Sequence, residues 1–337
     1  MRPRLLVPAM ILALAGPVAC SKQPGPERSE AEAYAEARSA FAEAETPEAA
    51  AAIAEKYLSE FPDGEHAPSF AWVVVEYRGR RLGEREQAFA TVMEAMEATA
   101  DPARRLDLVT TLFPLARELG RPLDLRAAVA ALQEERPLAF DENQTVMELA
   151  AEAEDWDLVL ERAEAALAQA TPEAVRAEHP DREMEDERVA RRADQRASVA
   201  LAHRAWALFN TGRAEEAEEV FAEAFERTPR NYVGLPTSPA ALFWGRASLE
   251  RGDAGRAMEL LAPLAIMGND PEAMSALETA WQAVNGSMDG FREYLDTTRK
   301  SLARPVDDFT LADYEGTEHT LSEEFGKVTF LAFWFPT

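Results

Sequence analysis

The sequence predicts a mainly α-helical chain whose last stretch, residues 303–337, turns to strand-forming pattern. Three observations carry this. Apolar residues recur at three- and four-residue spacing through residues 29–302, as in Tyr34, Ala37 and Phe41. Capping residues followed by proline recur along the same region. Hydrophobic residues make up 47% of the chain, and many are alanine, the strongest helix former.

The helix starts come first. Thr46-Pro47-Glu48, Asp101-Pro102, Thr171-Pro172-Glu173, Ser238-Pro239 and Asp270-Pro271-Glu272 share one logic. A short side-chain oxygen accepts from an orphan N–H, and proline occupies the first helical position, where no donor is needed. Glutamate there suits the positive end of the helix. Such signals predict many short helices joined by tight turns. The stretch Trp72 to Tyr77 leans toward β character and reads equally well as a buried helical turn. The charged stretch from Glu178 to Arg192 has almost no apolar residues and reads as a solvated helix or a linker.

Within residues 201–229, Ala205, Leu208, Gly212, Ala217, Phe221, Ala224 and Pro229 fall at the spacings of a helical hairpin. The glycine permits the turn, the alanines allow close helix approach, the phenylalanine fills the gap to the next hairpin, and proline ends the second helix. This segment resembles a tetratricopeptide repeat. Gly252, Ala257 and Leu261 repeat the spacing of Gly212, Ala217 and Phe221 forty residues on. Weaker copies lie around Asp155 to Leu167 and at residues 46–62. The resemblance implies a degenerate array of helical hairpins over 29–302, with a concave face for a protein partner or a purely structural spacer as the alternative. Trp206, Trp244 and Trp281 fall in core-like helical patterns.

The N-terminus reads as an address. Arg2 and Arg4 precede an apolar run from Leu5 to Ala15, too short to span a bilayer, and small residues lead to Cys20. Gly16-Pro17-Val18-Ala19-Cys20 resembles a bacterial lipobox, with Pro17 where leucine is commonest. The resemblance implies that residues 1–19 are a signal peptide, that Cys20 is lipidated, and that 20–28 form a short tether. Ser21 after the cysteine implies the outer membrane, facing the periplasm. The alternative is an ordinary signal peptide that contains a cysteine.

At the other end, residues 305–311 read as extended, Asp313-Tyr314-Glu315-Gly316 as a turn, Thr317 to Leu321 as a short strand and Ser-Glu-Glu-Phe from Ser322 as one helical turn. Val328 to Phe335 is a near-continuous apolar run, the pattern of a doubly covered strand. Asp308-Phe309-Thr310-Leu311, Gly316, Leu321-Ser322, Gly326-Lys327-Val328 and Phe333-Trp334 together resemble the opening of the alkyl hydroperoxide reductase, thiol-specific antioxidant and redoxin-like branch of the thioredoxin superfamily. The resemblance implies that Trp334, Phe335, Pro336 and Thr337 shape an active-site loop. The nucleophile would immediately follow Thr337, so this chain carries no catalytic residue of its own. The expectation is a thioredoxin-like α/β segment truncated before that position. Three explanations stay open: a selenocysteine codon UGA taken as a stop, an incomplete sequence, or a true stop. The intact product would be a thiol-disulfide or selenol oxidoreductase, or a peroxide-reducing enzyme. The alternative is a non-catalytic lipoprotein scaffold that binds partners through its helical repeats.

Charge and composition bound the partners. The net charge is -26, from 61 acids and 35 bases. Such a surface repels the nucleic-acid backbone, so no nucleic-acid partner is expected; the membrane is reached through the lipid anchor and a protein through the helical array. Cys20 is the single cysteine, which excludes an intramolecular disulfide. His66, His179, His203 and His319 are scattered without ligand spacing, which reads as surface or capping positions. No metal and no cofactor is expected.

Overall fold

The computed structural model describes residues 28–178, 180, 184–231, 234–303, 307–313, 315–324 and 326. The described residues are mainly helical, with fifteen α-helices and one two-stranded sheet. They fall into two compact units that divide between Leu123 and Asp124.

The first unit holds α1 (Glu30–Ala42), α2 (Pro47–Glu60), α3 (Ala67–Val73), α4 (Arg85–Ala98) and α5 (Pro102–Glu118). Its starts are built by the expected chemistry. Ser29 and Glu32 form a reciprocal capping box at α1. Thr46 Oγ1 accepts from Ala49 N at 3.2 Å, and Asp101 Oδ1 from Ala103 N at 2.8 Å. Asp63 adds a tertiary clasp: its Oδ1 accepts from Ala100 N at 2.7 Å and from Asp101 N at 3.2 Å, and the Thr99 hydroxyl donates to the same oxygen. The core packs Tyr57, Leu58, Phe70, Val74, Val92, Leu108 and Leu112.

The Trp72 to Tyr77 stretch is helical. α3 runs straight into a π-helical segment, Val74–Arg81, in which Leu82 N donates to Tyr77 O at 3.1 Å. Val73, Val74 and Val75 are buried, whereas Trp72 is 55% exposed. The β-branched residues therefore serve a buried helical surface. Gly79 lets this widened segment lie against α4, since a Cβ there would stand 3.3 Å from Ala88 Cβ.

The second unit holds α6 (Leu125–Glu135), α7 (Phe140–Glu152), α8 (Trp156–Ala168), α9 (Pro172–Ala177), α10 (Asp186–Asn210), α11 (Ala214–Arg227), α12 (Ala240–Glu250), α13 (Ala254–Met267), α14 (Pro271–Asn285) and α15 (Phe291–Leu302). β1 (Thr310–Ala312) and β2 (Glu318–Thr320) come after them. Ala205, Leu208, Ala217, Phe221 and Ala224 are all buried, as are Ala257 and Leu261. Trp206 and Trp244 are packed beside Phe221, Phe209 and Phe243. α12 and α13 approach closely: a Cβ on Gly245 would meet Leu261 Cγ at 2.6 Å.

One turn recurs. The helices before Gly212 and Gly252 end with a backbone bond spanning five residues, from Arg213 N to Leu208 O and from Asp253 N to Ser248 O, each 2.9 Å. The two glycines have φ of 82° and 83° respectively, the left-handed geometry of a Schellman turn. The α7–α8 join makes the same bond, Asp155 N to Ala150 O at 2.8 Å, with Glu154 at φ 58° in the glycine position.

Two expectations need correction. His203 is no surface or capping residue: it is 2% exposed, on the face of α10 that packs against α8, α11 and α12. Of the two readings of the charged stretch ending at Arg192, helix or linker, the described residues from Asp186 on are helix, though not a fully solvated one. Residues 186–210 form one helix, and Val189 and Ala193 bury against Val175.

Candidate functional site

The predicted site residues Cys20, Trp334, Phe335, Pro336 and Thr337 lie outside the described residues, as does His179. The described part of the C-terminal segment is the β1–β2 hairpin. Its register pairs Thr310 with Thr320, Leu311 with His319 and Ala312 with Glu318. The turn is organised by one carboxylate. Asp313 Oδ1 accepts from Glu315 N at 3.0 Å and Thr317 N at 2.8 Å, and Gly316 takes φ 84°. Asp313 Oδ2 stands 3.0 Å from His319 Nε2, and this hydrogen bond, with the turn amides, holds the Asp313 carboxyl below the usual range.

A second carboxylate anchors the 3-10 turn Leu321–Glu324, which comes directly after β2. Asp308 Oδ1 accepts from Ser322 N at 2.9 Å, and the Asp308 pKa is lowered chiefly by the Ser322 side chain. Leu321 N donates to Phe309 O at 3.0 Å, closing the hairpin end. These carboxylates do turn-making work. The strand residues are exposed except for Thr320, which is half-buried, and Leu311 is 61% exposed.

Among the described residues no group of three His, Cys, Asp or Glu side chains could hold a metal ion, and no helix is long and apolar enough to cross a membrane. His203 makes a structural contact: its Nδ1 lies 2.9 Å from Val199 O, so Nδ1 carries the proton and donates. Burial lowers its pKa.

A groove of about 370 Å3 lies between the start of α7 and the first half of α10. Phe140, Asp141 and Gln144 line it on one side, and Arg188, Arg191, Arg192, Gln195 and Arg196 on the other. Arg196 is buried, stacks 4.7 Å over the Phe140 ring and grips Glu178 with both nitrogens, at 2.6 and 2.5 Å. Sequence reasoning passed over this groove by treating the Glu178 to Arg192 stretch as solvated. The available signal was four arginines at positions 188, 191, 192 and 196, the spacing of one helical face.

Compared with protein-family models, with curated proteins and with solved structures, the chain matches none.

Proposed function

We propose that this chain is a lipid-anchored envelope protein in which a degenerate tetratricopeptide-like array leads into the opening of a thioredoxin-like oxidoreductase domain. The observation that supports the redox reading is the β1–β2 hairpin. An extended segment, a glycine-ended turn, a short second strand and a single 3-10 turn succeed one another in the order of that domain's opening. An exposed two-stranded ribbon is marginal in water and gains stability when further strands and helices cover it. Leu311 and the apolar run from Val328 to Phe335 are the surfaces such a sheet would use. The recurring Schellman turn at Gly212, Gly252 and Glu154 supports the hairpin-repeat reading in the same way.

In this reading the Phe333-Trp334 strand delivers a nucleophilic thiolate or selenolate at the position after Thr337. A helix N-terminus there would lower its pKa. The nucleophile attacks a substrate disulfide, forming a mixed disulfide and releasing one substrate thiolate. A second thiol then displaces the other and leaves the enzyme oxidised. With a peroxide, the nucleophile takes the terminal oxygen and water or an alcohol leaves.

The test begins with the nucleotide sequence after the Thr337 codon. An in-frame UGA or cysteine codon, a second cysteine codon shortly after and about 100 further codons support the reading. The product of that frame should reduce insulin disulfides or consume peroxide. A product that does neither overturns the redox reading and leaves the scaffold role. For the anchor, globomycin should make unprocessed precursor accumulate; unchanged processing overturns lipidation at Cys20.

A further inference from the structure

The groove between α7 and α10 runs against the charge of the whole chain. In a protein of net charge -26, Arg188, Arg191, Arg192 and Arg196 converge on one concavity. Like charges at i,i+3 and i,i+4 on a helix oppose its formation. Two of the three acids at the start of α10 are engaged elsewhere: Asp186 pairs with Arg176 at 2.5 Å, and Asp194 with Arg227 at 3.0 Å. Glu187, four residues before Arg191, is the one acid of this stretch that offsets part of the repulsion, and it does not line the groove. Glu178 pairs with Arg196. Arg188 and Arg192 form no ion pair among the described residues. Arg191 donates to Arg230 O at 2.5 Å, a neutral carbonyl that tethers the guanidinium without discharging it. Asp141 is the one carboxylate lining the groove, so the lining stays net positive.

We propose that this groove is a binding site for a small phosphoryl-bearing anion, held by Arg188, Arg191 and Arg192. Guanidinium forks match phosphoryl oxygens two at a time, and several of them on adjacent turns suit a multiply charged group better than a single carboxylate. Gln195 and Gln144 are neutral residues in the lining, the Gln144 amide already donating to Glu148 at 3.0 Å. The framework is fixed: Arg196, 4% exposed and stacked on Phe140, locks the start of α7 to α10, so the three outer arginines project from a built surface. The acidic surface elsewhere opposes extended polyanions, which favours a compact ligand.

The experiment is calorimetric titration of the full chain carrying Cys20→Ser, so that no lipid anchor contributes, with inorganic pyrophosphate. A parallel arm uses vesicles of phosphatidylglycerol against vesicles of phosphatidylcholine. Pyrophosphate should bind with an affinity that falls as salt rises. Arg188→Gln with Arg192→Gln should weaken it at least tenfold. Arg188 is exposed and Arg192 half-buried, and neither forms an ion pair among the described residues, so the helical circular dichroism and melting temperature should be unchanged or raised by the relieved repulsion. Binding to phosphatidylglycerol vesicles that the same double variant abolishes would place the phosphoryl group on a lipid headgroup. Absence of binding in both arms, or binding that survives the double variant, overturns the proposal.

Discussion

Arg78 holds Glu55 in a two-pronged grip, with Nε at 2.6 Å from one carboxylate oxygen and Nη2 at 2.8 Å from the other. The pair ties α2 to the π-helical segment. Nη1 reaches on to Glu84 at 2.8 Å, just past the end of that segment. Both side chains of the grip are largely shielded, 14% and 22% exposed, and the Glu55 hydrogen bond pushes the Arg78 pKa up. This geometry sits between an exposed pair, worth about 0.2–1 kcal/mol, and a buried one, whose disruption costs about 3–5 kcal/mol. Arg78→Met should therefore cost about 1–3 kcal/mol in urea unfolding. Arg78→Lys should recover little, because an ammonium cannot make the two-pronged contact. A double-mutant cycle with Glu55→Gln gives the coupling directly. A coupling near zero would show that the grip contributes nothing to the segment's stability.

Glu154 occupies a position that its neighbours along the chain give to glycine. At φ 58° it closes the α7–α8 join with the bond that Gly212 and Gly252 close elsewhere. A left-handed conformation costs an L-residue about 1–2 kcal/mol. Glycine's extra freedom in the unfolded chain returns about 0.5–1 kcal/mol of that. The Glu154 side chain is exposed and makes no ion pair among the described residues, so its loss removes no contact. Glu154→Gly should stabilise the protein by roughly 0.5–1 kcal/mol, while Gly212→Ala should destabilise it by a similar amount. The two shifts, read as urea midpoints, must have opposite signs. Equal signs would mean that the turn is not what limits these joins.

Much of the helical order was legible because its signals are local. Thr46, Asp101, Thr171 and Asp270 cap the helices they announce, since a short side chain needs only its own next turn. Ser238 differs. Its hydroxyl does accept from Ala240 N at 3.3 Å at the start of α12, with Pro239 and not Ser238 in the cap position. It also sits among Ser198 Oγ at 2.6 Å and Thr228 Oγ1 at 2.8 Å, a buried network that joins residues forty positions apart and that no local motif could show. The hairpin was legible for the same local reason, through Asp313 and Gly316. The π-helical segment was not, because its widening depends on Gly79 meeting Ala88 and on Arg78 meeting Glu55. The arginine groove was hidden by composition: a charged stretch reads as solvated unless the faces of the helix are separated.

His203 gives the protein a built-in acid sensitivity. The imidazole is enclosed on α10, stands edge-on to the Phe243 ring at 5.3 Å, and donates from Nδ1 to Val199 O. Its pKa is lowered first by desolvation; the bond to Val199 and the charge of Glu148 oppose that shift without reversing it. In the unfolded chain the imidazole titrates near its ordinary value, about 6.5. Below that pH the unfolded chain takes up a proton that the folded chain refuses, so protons favour unfolding. The stability supplied by the neutral ring is complete above about pH 6.5 and falls as the pH drops toward the depressed folded value, by at most about 1.4 kcal/mol per pH unit. His203→Gln removes the titration but keeps a donor of similar reach. Groups common to both proteins cancel in the comparison. Urea unfolding at about pH 7.5 and about pH 5.5, one unit either side of the ordinary imidazole value, should therefore show the wild type losing more stability than the variant over that interval. Parallel losses would mean that the ring gains a proton without leaving its pocket, through a partner that rescues the charge.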